Sequence, residues 1–537
     1  MANYRILVTD EVDPEGVELL VAEPSFQVDE LPTMPKEELL ERIGDYDAFV
    51  GRSATRITPE LLARAKKLRV VGRAGVGVDN IDMDTATSLG VAVINAPAGN
   101  TIAVAELFFG VIIGILRHLP EAAQSMKEGR WDRSALLGTE LKGKTLGIVG
   151  VGRIGSEIAS RAHAFGMTVV GFDPYVAEER FRALRVRRAE TLDALLEEAD
   201  IVTVHTPLND ETKGLLGRKE LARLRAGSIV ANLARGGIIE EDALREALAS
   251  GHLRGAAVDV YDKEPAVADH PLRTMPGVLL TPHLGASTEE AQRNVAVDAC
   301  IAVRDALLHG ELSRSLNVAA SDGQWSELRP ALQLTQRASS MARSILADQG
   351  MREVRRLSMR CGPALAGGAE VLLSAAAIGV LEQVVEAERL NLINARSLAE
   401  GRGIELSCSV SGQLGHDYAV EVTLSGGMRE LAVGGVAAPG GVPARFTRIG
   451  SFRVDVAPRQ TLLVLTNHDV PGVIGKVGTV LGDAGVNIAE YHQARLAQGG
   501  EALAAVSVDG VVDAKLRTAL LALPDVLTAT VVNFRGA

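Results

Sequence analysis

The chain has 537 residues, 47% of them hydrophobic, and a formal net charge of −12. Length predicts three or four domains, and an acidic balance without a basic patch argues against nucleic acid as a partner. Cys300, Cys361 and Cys408 lie far apart without Cys-x-x-Cys spacing, which predicts a reduced, cytoplasmic chain with no disulfide framework and no metal site. The start, Met-Ala-Asn-Tyr-Arg-Ile-Leu-Val, reads as the beginning of a strand rather than a secretion signal. The most apolar run, Ile102–Leu116, falls short of the roughly 20 residues of a membrane span and contains Glu106, so a buried or interface helix in a soluble protein is expected.

The first hundred residues alternate short strands with helices. Strands are predicted at Arg5–Thr9, Phe26–Glu30, Ala48–Gly51, Val70–Gly72 and Val91–Asn95, and helices at Pro14–Ala22, Lys36–Ile43 and Thr58–Ala65. This is the pattern of an open parallel α/β sheet, whose ligands bind beyond the carboxyl ends of its strands. Arg52 and Arg73 both stand at such ends, which suits an anionic ligand. Asn100 is expected to cap the apolar helix Thr101–Arg117, which leaves this sheet.

Leu146–Val149 reads as a buried strand that runs into Gly150-x-Gly152-x-x-Gly155 and a helix over Ser156–Phe165. A second strand, Thr168–Phe172, ends at Asp173. Such a turn makes room for a pyrophosphate at a helix N-terminus, and an acid about 20 residues later holds the ribose hydroxyls of NAD. No arginine sits beside Asp173 to welcome a 2′-phosphate, which favours NAD over NADP.

Four more strands carry a candidate functional residue at the carboxyl end. Ile201–Val204 ends at His205-Thr206, Ser228–Leu233 at Ala234-Arg235, Gly255–Val258 at Asp259 with Glu264 beyond, and Val278–Leu280 at Thr281-Pro282-His283. Oxidation of an alcohol requires a hydride acceptor, a base and a grip on the substrate. NAD serves as the acceptor. His283 suits the base because an imidazole titrates near neutrality, with Glu264 as the carboxylate that poises it. Arg235 suits a substrate carboxylate through paired hydrogen bonds. His205 also ends a strand and rivals His283 by position, although Thr206-Pro207 after it suggests cofactor lining.

Ser287-Thr288-Glu289-Glu290 opens a helix running to about Leu308, which is expected to return the chain to the first sheet. Residues 318–455 mix helix-like runs (Leu328–Ala347, Val371–Arg389, Leu392–Ala399) with strand-like runs (Glu405–Val410, Tyr418–Leu424, Arg445–Ile449) around a Gly/Pro-rich turn region, Gly434–Pro443. No catalytic constellation is visible there, and a spacer or assembly role is favoured. The last eighty residues read as β-α-β-β-α-β, with strands Gln460–Thr466, Val486–Arg495, Ala502–Val508 and Leu527–Phe534 and helices Pro471–Ala484 and Val512–Ala522.

Gly150-x-Gly152-Arg-Ile-Gly155, Asn232-Leu-Ala-Arg235-Gly-Gly, Asp259-Val-Tyr-x-x-Glu264-Pro and Thr281-Pro-His283-x-Gly285 resemble, in order, the signatures of the D-2-hydroxyacid dehydrogenase family over about residues 4–317. Arg52-Ser53-Ala-Thr and Gly72-Arg73-Ala-Gly-x-Gly-Val-Asp-Asn are similar to the branch acting on D-3-phosphoglycerate, in its long form with an intervening domain and a C-terminal ACT domain. The resemblance implies two Rossmann-like doubly wound domains, an α+β intervening domain and a ferredoxin-like ACT domain. It implies the boundaries 1–98 plus 288–317, 99–287, 318–455 and 456–537. It implies NAD-dependent oxidation of 3-phosphoglycerate to 3-phosphooxypyruvate, the first step of L-serine synthesis, with Arg235, Glu264 and His283 catalytic. The cofactor residues implied are Gly150, Gly152, Arg153, Ile154, Gly155, Asp173, Thr206, Leu233, Ala234, Arg235, Asp259, His283, Leu284, Gly285 and Ala286. The resemblance further implies that Arg52, Ser53, Arg73, Gly75, Gly77 and Asn100 face the substrate, and that Asn467, Asp469 and Asn487 match positions that bind L-serine as an effector. Another D-2-hydroxyacid as substrate, or an NAD-sensing corepressor on the same fold, are the alternatives. A homo-oligomer is expected, tetramer favoured over dimer.

Overall fold

Five short apolar runs, β1 (Tyr4–Val8), β2 (Phe26–Glu30), β3 (Ala48–Gly51), β4 (Val70–Arg73) and β5 (Ala92–Asn95), pair in parallel in the order β2-β1-β3-β4-β5. The computed structural model describes residues 4–318, 325–351, 353–382, 390–459 and 461–534. β3 and β5 are buried along their whole length, as strands covered on both faces must be. Side-chain caps start the helices between them: Asp13 accepts from Glu15 N, Thr58 from Leu61 N and Asp82 from Thr85 N. Helix Met83–Ser88, begun by Asp82, has only six residues, too few to show a periodic apolar face in the sequence.

The second sheet contains β6 (Thr145–Val149), β7 (Thr168–Phe172), β8 (Arg187–Arg188), β9 (Ile201–Val204), β10 (Ser228–Asn232), β11 (Leu253–Val258) and β12 (Val278–Leu280). All are parallel, in the order β12-β11-β10-β9-β6-β7-β8, one strand more than the six expected because β8 is only two residues long. The order reverses between β6 and β9, which opens a crevice at their carboxyl ends. Helix Thr101–Leu116 lies on this sheet with ten of its 16 residues buried. Asn100 makes no capping bond to it, contrary to expectation; its Oδ1 is buried without a partner, and the residue lines the cleft cavity instead. Helix Leu119–Lys127 follows, also unmarked in the sequence. After β12, Thr288 caps the 21-residue helix Glu289–His309, which packs back onto Pro14–Val21 and β4 of the first sheet.

The third sheet is mixed: β13 (Arg356–Cys361), β14 (Glu405–Val410), β15 (Ala419–Gly426), β16 (Arg429–Val436), β17 (Arg445–Ile449) and β18 (Phe452–Val456), in the order β14-β13-β15-β16-β17-β18. Only β13 and β14 are parallel. Helices Trp325–Asp348 and Ala369–Leu381 pack against each other and against its strands. The expected turn region is corrected at its start, because Gly434–Val436 completes β16; paired glycines weaken a strand signal that the fold supports by pairing on both sides. The expected helix Val371–Arg389 ends at Leu381, and its positions 383–389 lie outside the described residues, as does the strand start at Gln460. Among the described residues the stretch Pro363–Leu381 is long and apolar enough to cross a membrane, but 67% of it is buried in protein.

The fourth sheet is antiparallel: β19 (Thr461–His468), β20 (Asn487–Arg495), β21 (Glu501–Asp509) and β22 (Val526–Asn533), in the order β20-β21-β19-β22, with helices Val473–Asp483 and Ala514–Leu521. The fold class is therefore α/β for the two doubly wound sheets, followed by an α+β unit and a ferredoxin-like βαββαβ unit.

Candidate active site

The Gly-rich turn after β6 has the three features a dinucleotide requires. Gly150 takes φ +92°, where a Cβ would strike the His205 carbonyl. Above Gly152 there is open space within 4 Å, and Gly155 lies against the Gly150 carbonyl so that helix and strand can pack closely. Helix Arg153–Ala164 begins at Gly152 with no side-chain cap, leaving first-turn N–H groups free for an anion. Asp173, at the end of β7, accepts from Val151 N (2.9 Å) and Tyr175 N (3.0 Å), which leaves further lone pairs for hydroxyls. Across the switch point, His205 Nδ1 and Thr206 Oγ1 are buried without partners. Orphaned polar atoms beside an open glycine cradle fit a bound NAD.

His205 is no rival base. Its Nε2 meets Thr203 Oγ1 at 2.8 Å, and burial pushes its pKa down to about 3. His283 sits in a different setting. Its backbone is left-handed (φ 54°), which costs a residue with a Cβ about 1–2 kcal/mol, and the loop around it is clamped by Asp259. One oxygen of that buried carboxylate accepts from Thr281 Oγ1 (2.6 Å) and Leu284 N (2.7 Å), the other from Gly285 N (2.9 Å). The Asp259 carbonyl also accepts from His283 N at 2.9 Å. His283 Nδ1 lies 2.7 Å from Glu264 Oε2, while Glu264 Oε1 accepts from Tyr261 N at 3.1 Å. A carboxylate only accepts, so Nδ1 carries the proton and Nε2 is left basic. The bond to Glu264 raises the His283 pKa against the effect of burial. Burial works to raise the Glu264 pKa, but the His283 and Tyr261 bonds and the nearby Arg235 charge leave it below the ordinary value.

The facing wall belongs to the first sheet. A cavity of about 510 Å³ is lined by Arg52, Ser53, Arg73, Gly75, Gly77 and Asn100 from that wall, and by Arg235, Glu264, His283 and Ala286 from the other. Burial, with the like charges of Arg235 and Arg52, lowers the Arg73 pKa to about 10. Arg73 Nη1 donates to the Ala74 carbonyl (2.7 Å) and its Nε has no partner. Among the described residues no carboxylate forms an ion pair with Arg52, Arg56 or Arg73. Gly75 and Gly77 have a further part: a Cβ on either would collide with the Arg73 or Arg235 guanidinium.

Several residues here escaped the sequence reading. Arg56, Asp79 and Asn80 line the same cavity, and Asn80 Nδ2 donates to the carbonyls of Arg52 (3.0 Å) and Thr55 (2.6 Å). Asp10, 4% exposed at the end of β1, accepts from Arg52 N (2.9 Å), Thr55 N (3.0 Å), Thr55 Oγ1 (2.6 Å) and Thr33 Oγ1 (2.9 Å). Position at a strand end was the available signal for Asp10, and adjacency to the Gly75–Gly77 run for Asp79.

A family profile described as "D-isomer specific 2-hydroxyacid dehydrogenase, NAD binding domain" matches residues 109–285, and an ACT domain profile matches 461–525. A D-3-phosphoglycerate dehydrogenase from Bacillus subtilis is 40% identical over 538 residues, covering 99% of either chain. The chain belongs to the D-3-phosphoglycerate dehydrogenase family. Among solved structures, the TT0316 protein from Thermus thermophilus is 35% identical at a TM-score of 0.54, covering 58% of this chain and 99% of its own. An NAD-dependent formate dehydrogenase from Staphylococcus aureus, solved with NAD, is 30% identical at 0.52, covering 57% and 96%.

The ACT residues are arranged differently from the cleft residues. Asn467 is 1% exposed with its amide donated to the His468 carbonyl (2.8 Å). Asp469 accepts from Gly499 N (3.1 Å) and Arg495 (3.2 Å); the Gly499 bond foremost, with the arginine, holds its pKa low. Asn487 donates to Asp509 at 3.0 Å. Asn467 pairs with Ala502 and Asn487 with Asp509, so the two sit seven residues apart along β21 (509 minus 502), about 24 Å. Within one chain the structure does not bring the three together.

Proposed function

We propose that the chain oxidises 3-phospho-D-glycerate to 3-phosphooxypyruvate with NAD, the first step of L-serine synthesis. The observation that carries this reading is one cavity in which Arg52, Arg56 and Arg73, without an ion-pair partner among the described residues, face a His–Glu pair. Arg52, Ser53 and Arg73 hold the phosphate, with Gly75, Gly77 and Asn100 alongside, and Arg235 grips the carboxylate and polarises the neighbouring C2 oxygen. His283 Nε2 takes the C2 hydroxyl proton, while Glu264 stabilises the imidazolium that results. A bound NAD would supply the hydride acceptor that oxidation at C2 requires. The residues that would hold it are the Gly150–Gly155 turn, Asp173, Thr206, Leu233–Arg235, Asp259 and His283–Ala286.

The domain division that goes with this activity is 1–98 plus 288–317 for substrate, 99–287 for NAD, 318–455 intervening and 456–537 for regulation. Support comes from helix Glu289–His309 returning to the first sheet. L-serine is the effector at the ACT unit. A site using Asn467, Asp469 and Asn487 together takes Asn487 from a second copy, because the β21 register separates them in one chain. Such a shared site calls for at least two copies, and the assembly proposed with it is a cytoplasmic homotetramer. NAD reduction with 3-phosphoglycerate, with and without L-serine, tests both ends of the chain. Turnover inhibited by serine is expected. Faster turnover of unphosphorylated or branched D-2-hydroxyacids would replace the substrate assignment, and NAD binding with no turnover of any acid would favour a corepressor.

A further inference from the structure

Arg235 stands on the NAD side of the cleft, yet its guanidinium is held from the other side. Its Nε donates to Asp79 Oδ2 at 2.9 Å, a bond spanning 156 positions of chain. Its Nη1 donates to the carbonyl of Ala234 at 2.6 Å. The guanidinium lies over Gly77, where any side chain would meet Nη2, and Asp79 Oδ2 lies 2.7 Å from a Cβ placed there. Arg73 is seated in the same way over Gly75. One short loop of the first wall therefore seats both guanidiniums; within it Asp79 bonds to Arg235, while Arg73 donates to the Ala74 carbonyl.

An arginine offers a carboxylate two edges, Nε with Nη2 or Nη1 with Nη2. Asp79 takes the Nε hydrogen and the Ala234 carbonyl one of the two on Nη1, so a paired grip on a ligand is left to the end-on edge, with the remaining Nη1 hydrogen and one on Nη2. From this geometry we propose that Asp79 is a positioning residue of the reaction: it fixes the fork of Arg235 end-on toward the substrate carboxylate. The bond crosses the cleft, so this orientation forms only when the two walls stand at their present separation. Asp79 thereby couples cleft closure to a correctly aimed Arg235. The proposal rests on Arg235 being the carboxylate anchor.

The test is a double-mutant cycle with Asp79→Ala and Arg235→Ala, with Asp79→Asn as the conservative variant, which keeps an acceptor oxygen. Steady-state kinetics with 3-phosphoglycerate, NAD affinity by fluorescence and thermal melting are measured on each full-length protein. Arg235→Ala is expected to lose about 10²-fold or more in kcat/KM, and Asp79→Ala about 10-fold, falling mostly on kcat, with NAD affinity and melting unchanged. The double variant is expected to be no worse than Arg235→Ala alone, since both remove one device. Asp79→Asn is expected to recover to within about threefold of the wild type. Wild-type kcat/KM in Asp79→Ala, or additive losses in the double variant, would overturn the positioning role. Wild-type kcat/KM in Arg235→Ala would instead overturn the anchor on which it stands, which keeps the two failures distinct.

Discussion

The two walls of the cleft are built alike and charged differently. Each hangs its functional loop on a buried aspartate at a strand end: Asp10 after β1 clamps Arg52–Thr55, and Asp259 after β11 clamps Thr281–Gly285. On the Asp259 wall the positioned group has its counter-charge, because His283 is bonded to Glu264. On the Asp10 wall Arg52 and Arg73 converge with no ion pair among the described residues, and Arg73 is pushed down to about 10 by burial and by its like neighbours. One wall is electrostatically complete before substrate arrives and the other is not. The first is suited to move a proton, the second to bind an anion, and each can be broken separately.

The largest effect is expected from the complete wall. His283→Ala should lose on the order of 10²–10⁴-fold in kcat with NAD affinity retained, measured by steady-state assay and fluorescence titration. On the incomplete wall, Arg73→Ala should raise KM for 3-phosphoglycerate by about 10–10²-fold with kcat less affected, as expected for a lost charge-assisted anion contact. A KM effect in the first variant and a kcat effect in the second would reverse the assignment of the walls.

Smaller effects probe the clamps and the charge pairing. Asp259→Asn puts an amide where three hydrogen bonds converge on a carboxylate, so kcat should fall by about 10-fold as the His283 loop loosens. Oxidation needs neutral His283, so kcat/KM should climb as pH rises through a pKa held above the ordinary imidazole value by Glu264. Glu264→Gln removes that charge, and the rising limb of the profile should move to lower pH; a limb that stays in place would detach Glu264 from the base. Raising ionic strength should increase KM for 3-phosphoglycerate severalfold while leaving kcat nearly constant, because screening weakens anion binding more than proton transfer.

Much of this was legible in the sequence because ligand residues of an open α/β sheet collect at strand ends, and short apolar runs locate those ends. Arg52, Arg73, Arg235 and His283 are found in this way, and Gly150–Gly155 by its turn. Asp10 and Asp79 were not, since an acid at a strand end or after a glycine pair has no identifiable partner until folding brings Arg52 or Arg235 beside it. Asn100 looked like a cap by position but faces the cavity. In the third sheet β16 was obscured by Gly434 and Gly435, whose strand conformation depends on neighbours on both sides. The ACT residues show the converse limit: Asn467 and Asn487 are 20 positions apart in sequence (487 minus 467) yet at opposite ends of β21, which only the register reveals.

The most direct test is the ratio of kcat/KM for 3-phosphoglycerate to that for unphosphorylated D-glycerate, measured on one enzyme preparation with NAD. A wall whose Arg52 and Arg73 form no ion pair among the described residues should favour the phosphorylated acid by about 10²-fold or more, and that preference should shrink in high salt. Equal kcat/KM for the two acids would contradict the account, leaving His283 and Glu264 a catalytic pair but removing the phosphate from the cavity they face.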